Sequence, residues 1–273
     1  MSNTGIQNTT NPEAEGIEFF KKNSDAFAHS LSHKTGEDLN VLIEHLPTSK
    51  RNKALDVATG TGFTAMRLAE LYDIVIGLDA TKEMLNEGLM LSNQRHIKNL
   101  IFIIGRSEKM PFMNHTFDVV TCRRAAHHFN DREGFIGEVK RVLKEFGTFG
   151  FVDMLSPDDD INDSFNQFER LRDETHLSAG TKKYWEETIV KAGFRVEFSE
   201  ATKEKMTFER WLSPVKPDSP QGRRCREYLE SNDHLKAILS YNEDDDSLIK
   251  QRLVLTATSM DRVNNHPSEE RKP

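Results

Sequence analysis

The chain has 273 residues, enough to close one substantial core and elaborate it, while two full-sized domains would be crowded. Its 37 basic and 44 acidic side chains leave a net charge of -7, and no Lys/Arg cluster offers a track for nucleic acid. Two distant cysteines, Cys122 and Cys225, a polar N-terminus and the lack of a long apolar run argue against a disulfide framework, a zinc site or membrane insertion, and lead us to expect a reduced, cytoplasmic setting.

In chain order, residues 1–15 and 263–273 offer no apolar stripe and are expected to lack structure. A single domain is expected over 16–262. It begins with two short helices split near Gly36, carrying Phe19, Phe20, Phe27 and Leu31, then Leu39 and Leu42, as an N-terminal lid over 16–46. Strands are predicted at about 53–57, 73–78, 99–104, 117–122 and 148–153, with amphipathic helices between them. This alternation predicts an α/β fold, a mostly parallel sheet with helices on both faces.

After Asp153 the alternation breaks. Helices are predicted around 163–172 and 181–192, within a segment, 155–192, too long for a simple crossover and expected to form a helical cover over a pocket. A strand at about 194–199, a helical stretch with Phe208 and Trp211, another at about 219–239, an acidic turn at Glu243–Asp246 and a late strand at 252–258 complete the chain.

The most informative segment is Leu55-Asp-Val-Ala-Thr-Gly-Thr-Gly62, a strand running through a glycine turn onto a helix. Gly60 and Gly62 let the backbone approach a ligand closely, and the helix N-terminus presents amides to it. The next strand ends in Asp79, a carboxylate suited to a ribose diol, which points to an adenosine-containing cofactor. Gly60-x-Gly62-x-x-Ala65 also satisfies the dinucleotide pattern, so an NAD-dependent oxidoreductase is an alternative. Asp56, four residues before Gly60, opposes a diphosphate and suits an ammonium group.

Asp56-Val-Ala-Thr-Gly-Thr-Gly62, Asp79, Glu108-Lys-Met-Pro-Phe112, Phe117-Asp-Val-Val-Thr-Cys-Arg123 and His127-His-Phe129 together resemble the class I S-adenosylmethionine-dependent methyltransferases, in the group related to the ubiquinone/menaquinone C-methyltransferases. Cys122-Arg-x-Ala-Ala-His-His-Phe129, Glu169-x-x-Arg-Asp-x-x-His176 and Phe208-x-x-Trp211 are similar to an uncharacterised bacterial small-molecule subgroup. The resemblance spans about residues 25–215. It implies a Rossmann-like seven-stranded sheet of order 3-2-1-4-5-7-6 with the last strand antiparallel. It also implies S-adenosyl-L-methionine as cofactor and S-adenosyl-L-homocysteine as product. Asp56, Ala58, Thr59, Gly60 and Gly62 would then hold its amino-acid end, Asp79 its ribose. Ala80, Met84, Arg106, Ser107 and Glu108 would border the adenine, and Arg123 would stand nearby.

Three departures from the family pattern stand out. Ala58 replaces a glycine, and Glu145-Phe-Gly147 replaces a Pro-Gly-Gly turn and is expected to alter a loop. Arg106 occupies the position of an aspartate that accepts the adenine amino group; a guanidinium only donates, which leaves Glu108 or a backbone carbonyl as acceptor.

Methyl transfer from a sulfonium needs alignment, exclusion of water and, for many acceptors, a base; it requires no metal. His127 and His128 follow the fourth strand, where a parallel sheet opens its crevice, and are candidate catalytic groups or, alternatively, a helix cap. His176 is a third candidate, with Asp173 orienting it. Arg172 could neutralise an acidic substrate or pair with Glu169 one turn earlier. Phe27, His33 and Phe129 join Glu169, Arg172 and Asp173 as expected pocket residues. No Asn/Asp-Pro-Pro-Tyr tetrad follows the fourth strand, against a nucleic-acid substrate. The reading is methyl transfer to a small-molecule C, O or N atom, with a non-catalytic cofactor-binding or assembly protein as the other alternative and a homodimer left open.

Overall fold

The computed structural model describes residues 12–28, 34, 36–48, 53–160 and 162–260. Helices α1 (Pro12–Ala28) and α2 (Glu37–Glu44) precede β1 (Lys53–Val57), α3 (Phe63–Leu68), β2 (Ile74–Asp79), α4 (Lys82–Gln94) and β3 (Leu100–Ile104). Then come β4 (Phe117–Arg123), a 3-10 turn at Ala126–His128, α5 (Arg132–Val142), β5 (Leu143–Met154), α6 (Ser164–Arg172) and α7 (Lys182–Lys191). The chain continues through β6 (Phe194–Thr207), α8 (Phe208–Leu212), α9 (Pro220–Glu230), α10 (Asp233–Ile238) and β7 (Ser247–Ser259).

The strands form one seven-stranded sheet of order β3-β2-β1-β4-β5-β7-β6, as the resemblance implied. Strands β1 to β5 pair in parallel, and β7 runs antiparallel to both β5 and β6. Alternate side chains of each central strand enter opposite cores, because a strand turns over its side chains at every residue. Leu55, Val120, Phe149 and Leu255 pack with Phe135 and Val139 of α5 and Trp185 of α7. Ala54, Val119, Val152 and Val254 pack on the other face with Leu42 of α2 and Met66 of α3.

A third core lies beyond the sheet, built by Phe165 and Phe168 of α6, Trp211 of α8, Leu229 of α9, Leu235 of α10 and Leu248 of β7. Its platform is the part of β7 that outruns β5. Pairing with β5 stops at Met154↔Arg252, whereas pairing with β6 continues to Thr207↔Ser247.

Several boundaries differ from expectation. Helix α1 starts at Pro12, inside the segment expected to lack structure, and packs against α4. Strand β6 runs eight residues past the predicted Ser199, because β7 offers a partner to its polar second half. The predicted helix at 219–239 is two helices, since Asn232 accepts from the Leu235 amide and starts α10 afresh. The Glu145-Phe-Gly147 turn is absorbed into β5 as an irregularity, with Phe146 at φ 60° and the pairing with β4 shifted there.

Gly62 caps α3 at φ 83°, and a Cβ there would approach Phe102 Cζ to 2.8 Å. Gly62→Ala is expected to cost about 1–3 kcal/mol of stability from backbone strain and overpacking. Urea unfolding at constant m-value measures it; an unchanged midpoint would contradict the constraint.

Candidate active site

The carboxyl ends of β1, β2, β4 and β5 meet at one edge, and each carries a charged side chain there: Asp56, Arg123 and Asp153 are buried and Asp79 is half-buried. A buried charge must be paired or hydrogen-bonded, so their partners define the site.

At the end of β1 the chain enters left-handed backbone at Ala58 (φ 52°), Gly60 (φ 55°) and Gly62 (φ 83°). Ala58 thus adopts a conformation that glycine takes without cost and that costs an alanine about 1 kcal/mol. The turn is tied down by its neighbours. The Thr59 amide donates to Leu78 O at 3.0 Å, and the Gly60 amide to Asp79 Oδ2 at 2.8 Å. The Thr81 amide donates to Asp79 Oδ1 at 2.8 Å. Burial raises the Asp79 carboxyl above its ordinary range, and these amides work against that shift. Asp56 accepts Thr59 Oγ1 at 2.6 Å and Thr121 Oγ1 at 2.7 Å. Burial nonetheless pushes its carboxyl up to about 6.

A cavity of about 200 Å³ opens over this turn. Every residue expected to hold the cofactor lines it except Gly62, which lies against Phe102 beneath the turn. Thr61, Phe63 and Thr64, at the start of α3, line it as well and carried no signal beyond their place after the glycines. Arg106 is on its rim, 54% exposed, with Nε 4.0 Å from Glu108 Oε2. Arg123 and its neighbour Arg124 both clamp Asp38 of α2. Arg123 Nη2 is 3.1 Å from Oδ1 and Arg124 Nε is 2.7 Å from Oδ2. Burial opposes ionisation of Asp38, but the two guanidiniums hold its carboxyl well below the usual range.

A second cavity, of about 760 Å³, adjoins the first and shares Phe20, Phe27, Arg124 and His128 with it. His127, Asp153, Arg172 and Asp173 line it, and Phe129 lines the smaller one. His127 donates its backbone amide to Asp153 Oδ2 at 2.8 Å and brings Nδ1 to 2.6 Å from Oδ1. Burial works to raise the Asp153 carboxyl; the imidazole overrides this and leaves it lowered and ionised. An ionised carboxylate only accepts, so Nδ1 carries a proton, and in the neutral ring this tautomer places the lone pair on Nε2. Among the described residues, Nε2 has no hydrogen-bond partner. Asp153 was missed in the sequence, although it ends a strand just as Asp56 and Asp79 do.

His128 sets Nδ1 3.0 Å from Thr175 O, and burial lowers it to about 4, so it is neutral at pH 7. The remaining candidates divide. His176 lines neither cavity: its Nε2 meets Asn166 Oδ1 at 2.8 Å, and burial lowers it. Asp173 does not bind the His176 ring; its Oδ1 accepts from the Thr175 amide and hydroxyl. Glu169 sits behind the wall, taking Arg172 Nη2 and Lys250 Nζ, each at 2.9 Å, and Trp211 Nε1 at 3.0 Å. This is the ion pair that the sequence left open for Arg172, extended by Lys250, which the sequence did not flag. His33 lies outside the described residues.

A family profile described as a methyltransferase domain matches residues 48–210. The chain belongs to this family. It is a class I S-adenosylmethionine-dependent methyltransferase by fold and family, related to the ubiquinone/menaquinone methyltransferases. The uncharacterized methyltransferase YcgJ of Bacillus subtilis (strain 168) is 33% identical over 201 residues, which cover 73% of this chain and 76% of YcgJ. The structure of BH2331 from Bacillus halodurans C-125, described as a methyltransferase, superposes with a TM-score of 0.77 at 28% identity, covering 83% of this chain and 100% of that one. Demethylmenaquinone methyltransferase of Thermotoga maritima is 33% identical over 107 residues, 38% of this chain and 44% of its own.

The smaller cavity suits the methyl donor of this family. Asp79 is fixed by two amides and offers carboxylate lone pairs to a diol, and Asp56 offers negative charge at the far side of the glycine turn. At Gly60 a Cβ would come within 3.2 Å of Met84 Cε, in the cradle itself.

The raised Asp56 carboxyl gives a signed prediction. Its proton is held more tightly in the folded state, so the associated stability is full below the ordinary carboxylate range and lost as pH rises through about 6. Asp56→Asn should therefore gain relative to the ligand-free wild type between pH 4.5 and 7.5, by about 2 kcal/mol. Paired thermal melts at the two pH values measure the difference; a pH-independent gap would show that Asp56 titrates normally.

Proposed function

We propose that this methyltransferase transfers the methyl group of S-adenosylmethionine to a proton-bearing atom of a small molecule held in the larger cavity, with His127 as the general base. The observation that carries this reading is the His127–Asp153 pair, whose Nδ1–Oδ1 distance of 2.6 Å leaves the second ring nitrogen free at the cavity that adjoins the cofactor side.

When bound, S-adenosylmethionine supplies an electrophilic methyl group on a sulfonium with a thioether leaving group. The chain's residues do the rest. Asp79 accepts the ribose hydroxyls, and Asp56 balances the ammonium of the amino-acid end. Ala80 and Met84 give the adenine an apolar bed. Glu108 supplies the carboxylate that Arg106 cannot, since Arg106 has donors alone.

His127 Nε2 receives the proton that the acceptor atom loses as its bond to carbon forms. Asp153 holds the ring in the tautomer that can do so and stabilises the imidazolium. His128, neutral at pH 7, adds no charge beside the sulfonium. Phe20 and Phe27 of α1 line both cavities and keep water from the junction. A net charge of -7 favours a small molecule over a polyanion.

Asp79→Ala should weaken S-adenosylhomocysteine binding by about 100-fold, the loss of two hydrogen bonds to a charged acceptor. Calorimetry on a variant that still melts cooperatively measures it, and wild-type affinity would remove Asp79 from the ribose site. His127→Ala should leave that affinity intact and slow labelled-methyl transfer into a native metabolite extract by about 10²–10⁴-fold. Asp153→Asn should slow it too, through the wrong tautomer. Transfer at the wild-type rate in His127→Ala would exclude the imidazole as base.

A further inference from the structure

Beyond His127 the wall of the larger cavity carries more positive groups than its own carboxylates can use. Arg172 ends α6, Arg210 lies on α8, and Lys250 and Arg252 occupy alternate positions on β7. They share two acids. Glu169 Oε1 takes Lys250 Nζ and Trp211 Nε1, and its Oε2 takes Arg172 Nη2. Glu204 takes Arg252 Nη1 on one oxygen and Arg210 Nη2 on the other, each at 2.5 Å. Of the acids that line the cavity itself, Asp153 is engaged by His127, and Asp173 accepts from Thr175 and lies in the field of Arg172.

Every oxygen of Glu169 and Glu204 is therefore occupied, while donors remain. Among the described residues, Arg172 Nε is buried without a hydrogen-bond partner, Lys250 Nζ donates to Glu169 alone, and Arg252 donates through Nη1 alone. Lys250 and Arg252 are only 9% exposed, so bulk water does not solvate them as it does a surface cation. Burial lowers Lys250 to about 8, and Arg172 and Arg252 push the same way against Glu169. Buried cations with unspent donors are costly unless an anion meets them.

The same cavity has an apolar side, with Phe20 and Phe27 from α1 and Met206 and Trp211 from the third core. Arg252 pairs across the sheet with Met154, the residue after Asp153. The cations and the proposed base are thus brought together by one pair of strands.

We propose that Arg172, Lys250 and Arg252 form a subsite for the carboxylate or phosphate of the methyl acceptor, which makes that acceptor an anionic small molecule with an apolar body. This inference rests on the larger cavity being the acceptor site of the proposed function. Guanidinium and ammonium groups beside one another match an oxyacid in both charge and donor geometry. The apolar side supplies the remaining contact area.

Full-length protein, with and without saturating S-adenosylhomocysteine, is titrated calorimetrically with 3-phenylpropionate, with phenyl phosphate and with the neutral 3-phenylpropanamide. At least one anion should bind, with the amide weaker by about tenfold or more, and the better anion distinguishes carboxylate from phosphate. Lys250→Met should weaken the anion by about tenfold or more and leave S-adenosylhomocysteine affinity unchanged. Arg252→Gln serves the same purpose, without taking a partner from Glu169. Equal binding of acid and amide, no anion binding at millimolar concentration, or undiminished binding in both variants would overturn the subsite. Failure of S-adenosylhomocysteine to bind strikes the methyl-donor assignment instead, and the ligand-free titration then decides the anion site alone.

Discussion

The need to satisfy buried charge at the carboxyl edge of the sheet organises this molecule. Asp56, Asp79, Arg123 and Asp153 stand at the ends of four neighbouring strands, Asp79 half-buried and the other three buried. Each is held by a different device: threonine hydroxyls for Asp56, backbone amides for Asp79, a shared aspartate from α2 for Arg123, and an imidazole for Asp153. These partners also aim the charges. Asp79 cannot turn away from the cavity without abandoning the Gly60 and Thr81 amides, and His127 cannot rotate without leaving Asp153. Preorganisation of the site and solvation of the sheet edge are thus the same set of contacts.

Much of this was legible in the sequence. Strands β1 to β4 announce themselves as short apolar runs bounded by turn residues; in β1 and β4 both faces are covered, whereas Ile74 of β2 and Ile101 and Ile104 of the edge strand β3 stay exposed. The glycine turn and the acids at 56 and 79 follow from what a strand-to-helix junction can accommodate. The second half of β6 was not legible. Its stretch Glu200-Ala-Thr-Lys-Glu-Lys205 has no apolar run, and only the presence of β7 makes it a strand. The break at Asn232 was hidden within one helical periodicity. Asp153 carried the same strand-end signal as the other acids, but its partner His127 lies 26 residues away and only the sheet register joins them. The burial of Lys250 and Arg252 was hidden as well, since their acidic partners Glu169 and Glu204 lie on α6 and β6, far away in sequence.

The division of labour between segments follows the three cores. The family match, residues 48–210, contains the glycine turn, Asp79 and His127. Phe20, Phe27, Trp211, Lys250 and Arg252, which line the larger cavity, fall outside it. The smaller cavity is therefore lined mostly from within the family match, with Phe20 and Phe27 added from α1, and the larger one from both within and outside it.

The position of β7 has a consequence for how the protein comes into being. This strand lies between β5 and β6, yet it is made after both. During vectorial synthesis β5 must wait with an open edge, and β6 has no neighbour in the sheet, until residues 247–259 have left the ribosome. A nascent chain halted before that point would leave uncovered the edges of β5 and β6 that β7 closes.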